Sequence, residues 1–136
     1  MNIPAIEITA VLVSSLICFA IGALWLSPAL FGNKWLRSLN VLFDEYSHYI
    51  NGRTFFLLAV FIIVFNIGIS IVIELLGYTN MREGVYAGII MWGTFILPQF
   101  GIVLTFERRP FLLYVIYSGY FLVIFVISSA LFAMWR

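Results

Sequence analysis

Four long runs of this chain carry no charged side chain: Ile8 to Asn33, Thr54 to Ile73, Gly84 to Phe106 and Pro110 to Trp135. An α-helix advances about 1.5 Å per residue, so each run can cross a hydrocarbon core of about 30 Å. Inside that solvent every backbone N–H and C=O must find its partner within protein, which leaves helices or a closed barrel. Barrel strands would read as alternating segments of about ten residues, and these runs are unbroken. With 64% hydrophobic and 10% charged residues, the chain has too little polar surface to fold in water. The expected fold class is therefore all-α, an integral membrane four-helix bundle. Its spans are expected at about 5–26, 54–76, 84–106 and 111–135 of one domain, 1–136.

No Lys or Arg precedes Lys34, so the first run lacks the positive flank of a signal peptide and is read as a retained span. Cys18 is the only cysteine, which rules out an internal disulfide. A net charge of +1 gives no electrostatic footprint for nucleic acid. Connections at Gly77 to Glu83 and Glu107 to Pro110 are short enough to force antiparallel hairpins. Only Ser27 to Arg53 is longer, so any chemistry sits in the bundle or in that connection. Lys34, Arg37, Arg53, Arg108 and Arg109 lie at one side, against Arg82 and Arg136 at the other. This bias makes the first side cytoplasmic, with both termini outside a bacterial cytoplasmic (inner) membrane.

Within the longer connection, Ser27 and Pro28 have the chemistry of an N-cap and a first helical residue. From Pro28, Phe31, Trp35, Leu36, Leu39, Leu42 and Phe43 share one helical face, and Asn33, Lys34, Arg37 and Asn40 the other. This predicts a short amphipathic helix at about 28–43 lying in the interface. Phe31 and Trp35 would enter lipid, Lys34 and Arg37 would meet headgroups, and Trp25 and Trp35 would join the aromatic belt.

Together, W-L-S-P-A-L-F-G-N-K-W, F-E-R-R-P-F-L-L-Y and Y-S-G-Y resemble a family of small bacterial four-helix membrane proteins known as a domain of unknown function. Trp25, Ser27, Pro28, Phe31, Gly32, Trp35, Trp92, Phe95, Pro98, Glu107, Arg109 and Pro110 match its pattern. Leu26 stands where the family usually has Tyr, Thr94 and Arg108 where it has Gly, and Tyr117 near a position often filled by Asn. The resemblance implies a fold and a membrane location, and no activity.

Catalytic signatures are absent: no Walker loop, no dinucleotide fingerprint, no Cys or His pair at zinc spacing. His48, with Asp44 and Glu45 nearby, reads as a solvated loop histidine, because metal sites need three or four converging ligands. No cofactor and no metal are expected. Polar residues inside spans usually face the bundle interior. By depth, Asn66, Trp92 and Ser15 form a midplane tier, while Gln99 and Tyr117 form a second, roughly 10 Å inside the cytoplasmic end. A straight helical projection places Gly84, Gly88, Trp92 and Gln99 on one side of the third span. Gly84 and Gly88, like the Ser14, Cys18, Gly22 ladder, suit close helix packing. Pro98 is expected to kink that span and free the Thr94 carbonyl beside Gln99.

Two candidate sites follow: an intramembrane one of Asn66, Trp92, Gln99 and Tyr117, and an interfacial or headgroup one of Trp25, Ser27, Lys34, Trp35, Arg37, Glu107 and Arg109. Glu107 has Arg109, Lys34 and Arg37 as possible salt-bridge partners. The leading function is a non-catalytic accessory or interaction protein packing against partner helices or lipid. Its expected partners are the bilayer and either another copy of the chain or a different membrane protein. The alternative is a homo-oligomeric small-solute transporter or channel, on the evidence of Pro98, Gln99 and Asn66. The third reading is a lipid-acting enzyme, for which Glu107, Arg109 and His48 are the candidates.

Overall fold

The computed structural model describes residues 6–40, 44 and 51–135. The described residues form helices α1 (Ile8–Trp25), α2 (Gly32–Ser38), α3 (Gly52–Leu76), α4 (Met81–Met91), α5 (Leu97–Glu107) and α6 (Phe111–Met134), with a π-helical turn Trp92–Ile96 joining α4 to α5. Four continuous helical stretches are long and apolar enough to cross a membrane: α1, α3, α6 and the composite Met81–Glu107. The protein is an all-α, four-span membrane bundle with a short helix between its first two spans.

Local chemistry sets the helix ends. The Asn51 carboxamide accepts from the Thr54 N–H at the start of α3, and Gly77, at φ 69°, closes that helix in the left-handed conformation that glycine adopts without strain. Asn80 accepts from the Glu83 N–H, which satisfies an orphan donor of α4, and the Glu83 carboxylate accepts from the Thr79 N–H just ahead of the cap. Arg108 ends α5 at φ 52°, a left-handed position without a glycine.

Helix α6 is the hub. On one side α1 and α3 pack against it and against each other; on another α4 lies on it at close range. A Cβ at Gly84 would meet the Ser129 carbonyl oxygen at 2.6 Å, and one at Gly88 the Phe125 carbonyl oxygen at 2.8 Å, so only glycine permits this backbone approach. One apolar core joins Val11, Ile69, Ile73, Ala87, Phe125 and Phe132; a smaller one, at the other end, joins Trp35, Leu113 and Ile116. The composite third span behaves differently, since its most apolar 18-residue window buries nothing. Below the π turn, α5 meets α6 through Phe100 against Tyr117 and Phe121 and through the Leu97 carbonyl, which accepts from the Tyr114 hydroxyl at 2.9 Å.

Candidate functional site

The small-residue ladder of α1 faces α6 and builds a closed polar cluster. Ser14 Oγ donates to Asn66 Oδ1 at 2.6 Å and lies 3.0 Å from Ser128 Oγ; Ser128 Oγ is also 3.3 Å from Cys18 Sγ. Asn66 Nδ2 donates to the Ile62 carbonyl at 2.9 Å and approaches Cys18 Sγ at 3.8 Å. All four side chains are fully buried. Asn66 thus bonds to Ser14 and approaches Cys18, both of which reach Ser128, and it bonds to neither Ser15 nor Trp92, the companions its depth suggested. Ser128 went unnoticed in the sequence, although Ser14 and Ser128 each stand six residues in from helix ends Ile8 and Met134, at matching depth. Ser15 Oγ and Ser129 Oγ are buried without a hydrogen-bond partner.

A second cluster is a set of indoles gripping one turn of α6. Trp25 Nε1 donates to the Ile116 carbonyl at 3.0 Å, Trp35 Nε1 to the Tyr117 hydroxyl at 2.9 Å, and Trp92 Nε1 to the Ser118 carbonyl at 2.7 Å. Tyr120 donates from the same stretch to the Cys18 carbonyl at 3.0 Å. Gly119 gives the Trp25 ring its seat, since a Cβ there would stand 3.1 Å from Cζ2. Three tryptophans from three elements therefore bond to three consecutive residues of Y-S-G-Y and the isoleucine before it.

Several expected roles need correction. Trp35 is 8% exposed and packs on Leu113 and Ile116, so the apolar face of α2 covers protein where lipid was expected. An apolar helical face has no chemical means of distinguishing an apolar protein neighbour from lipid. The helix is also shorter than 28–43, and 41–43 lie outside the described residues. Ser27 does not cap it. Its hydroxyl donates back to the Leu24 carbonyl at 2.7 Å, while its own carbonyl accepts from the Leu30 and Gly32 N–H groups. Gly32 sits so close to the Leu26 and Ser27 carbonyls, 2.8 Å from the latter for an added Cβ, that any side chain would collide. The Trp25 and Phe31 rings close this turn, with centroids 4.8 Å apart. The Leu-Ser-Pro to Phe-Gly stretch is thus a tight corner that delivers Trp35 to α6.

Gln99 and Tyr117, expected at one depth, do not bond each other. Tyr117 is occupied by Trp35 and stacks on Phe100 at 5.8 Å, while Gln99 is exposed and makes no hydrogen bond. The cause is the π turn, where the Leu97 N–H reaches back to the Trp92 carbonyl. A π turn inserts one extra residue, so everything after it lags an α-helical projection by about 100°. Phe100 takes the place that a straight helix assigns to Gln99. Pro98, at the start of α5, follows this turn, so its missing N–H is accommodated by the π segment.

At the interfacial end, Glu107 pairs with Arg109 at 2.6 Å. Both side chains are nearly half exposed, so the pair contributes under about 1 kcal/mol. Lys34 and Arg37 are exposed and rim a shallow depression with Ser38 and Leu112. Asp44 is exposed; Glu45 and His48 lie outside the described residues. Among the described residues, no three His, Cys, Asp or Glu side chains converge as metal ligands. A cavity of about 260 Å³ opens between α1, α3 and α6, walled mainly by Phe19, Trp25, Phe55, Leu58 and Tyr120. The indole and phenol groups on its wall already hold partners inside the protein.

This geometry defines a multi-pass membrane protein whose interior polar groups largely bond one another. The family model described as a protein of unknown function (DUF1761) matches residues 9–133, and the chain belongs to that family. Comparison with curated proteins and with solved structures gives no match.

Proposed function

We propose that the protein is a non-catalytic interaction protein of the bacterial cytoplasmic membrane, working by assembly with other membrane helices. The observation that carries this reading is the contrast between the two carboxamides in its spans. Asn66 is fully buried and fully engaged, whereas Gln99 faces outward, unbonded, from a half-helix that buries none of its side chains. An amide left unbonded in hydrocarbon costs about 4–8 kcal/mol on the water-to-alkane scale. A neighbouring helix that offers it donors and acceptors removes much of that cost. The polar cluster and the indole ring are read as internal bracing, because their groups point at one another and away from any path. Apolar walls suit the cavity between α1 and α3 to lipid methylenes. Lys34 and Arg37 supply cations to headgroup phosphates at the interface.

The test is photo-crosslinking in native membranes from a diazirine side chain replacing Ile102, beside Gln99, with Leu16 on the outer face of α1 as control. Adducts to protein from position 102, and to lipid from position 16, are expected. Lipid adducts alone from both positions would refute the reading.

A further inference from the structure

We infer that the helix meeting Gln99 is α5 of a second copy of this chain, an inference that rests on the reading above that this face meets protein. In α5, Gln99, Ile102 and Phe106 recur at intervals of three and four residues, the a/d spacing of a two-helix seam, and Phe95 stands exposed in the π turn just before them. Phe95, Ile102 and Phe106 are 68%, 60% and 84% exposed, so the stripe is uncovered. Its one polar member stands about 12 Å of helix in from Glu107, well within the apolar region.

Two copies inserted in the same orientation are related by a twofold axis along the membrane normal. Each residue of a central seam then meets its own counterpart at equal depth. That geometry punishes most polar groups, since a donor meets a donor and a charge meets its like. A carboxamide is the exception, being donor and acceptor at once, so Gln99 satisfies Gln99 of the other copy with a pair of N–H···O bonds. Within an apolar seam, a single polar residue at such a position also fixes register. At the end of the stripe the Glu107 carboxylate is neutralised by Arg109, so it does not repel its own counterpart there. Phe100 and Leu104 point the other way along α5, Phe100 onto α6, which leaves the stripe free for a partner.

The experiment uses the full chain in native membranes and a Cys18→Ser background, with single cysteines in place of Gln99, Ile102, Phe106 or Leu104. Oxidation should give disulfide-linked dimers from positions 99, 102 and 106 and none from 104, since bridged Cα atoms must lie within about 7 Å. Energy transfer between labelled copies in liposomes should show Gln99→Leu weakening the dimer about tenfold, as expected for losing two interhelical amide bonds. Gln99→Leu removes no internal hydrogen bond, so its helix content should match the parent, and this keeps the comparison interpretable. Equal cross-linking from 102 and 104 would overturn the inference. Monomers whose Ile102 probe labels a different protein would overturn the second copy and leave the interaction reading standing, while lipid adducts alone would overturn both.

Discussion

Arg108 holds a backbone conformation that favours the glycine of the pattern this chain resembles. It closes α5 at φ 52°, where a side chain costs about 1–2 kcal/mol and glycine costs nothing sterically. The related pattern has glycine there, and the turn explains why. Arg108→Gly is expected to raise stability by about 1 kcal/mol in detergent unfolding, with the Glu107–Arg109 pair intact. A loss of stability would mean that the guanidinium does more than the strain costs. The tryptophans carry a related lesson. Sequence placed Trp25 and Trp35 at the membrane interface because indoles favour it, yet both N–H groups are spent on α6. What the pattern could not reveal was the acceptor, because a backbone carbonyl leaves no mark in the sequence.

At the scale of elements, the spans were legible because an unbroken apolar run has one use in hydrocarbon. The Gly84 and Gly88 approach and the Ser14, Cys18, Gly22 face were legible too, since small residues at four-residue spacing serve close packing. The facing of α5 was not. A helical projection assumes 100° per residue throughout, and one π turn beside Pro98 breaks that assumption for every residue beyond it. Deleting Gly93, whose Cα has open space around it, should restore the α register. A short bifunctional thiol reagent should then link cysteines at 99 and 117, where in the parent it links 100 and 117. Persistence of the 100–117 link in the deletion variant would show that the π turn does not set the facing of α5.

For the whole molecule, Lys34, Arg37 and Arg53 flank the α1–α3 connection, and Arg108 and Arg109 form the hairpin at the same end of the bundle. We propose that this end is cytoplasmic. In a Cys18→Ser background, Thr79→Cys should react with an impermeant maleimide in spheroplasts and Gly52→Cys only after lysis. The reverse order would invert the topology. The larger claim is that the two intramembrane carboxamides have separate duties, Asn66 holding the fold and Gln99 holding the assembly. The most direct test substitutes leucine at each and measures unfolding and self-association of both variants in the same liposomes. Asn66→Leu should destabilise the fold by about 1–2 kcal/mol, through lost hydrogen bonds and a side chain the site was not shaped for, with association per folded molecule unchanged. Gln99→Leu should leave unfolding unchanged and weaken association about tenfold. Destabilisation by Gln99→Leu with no change in association would contradict the account, because it would make Gln99 an interior residue after all.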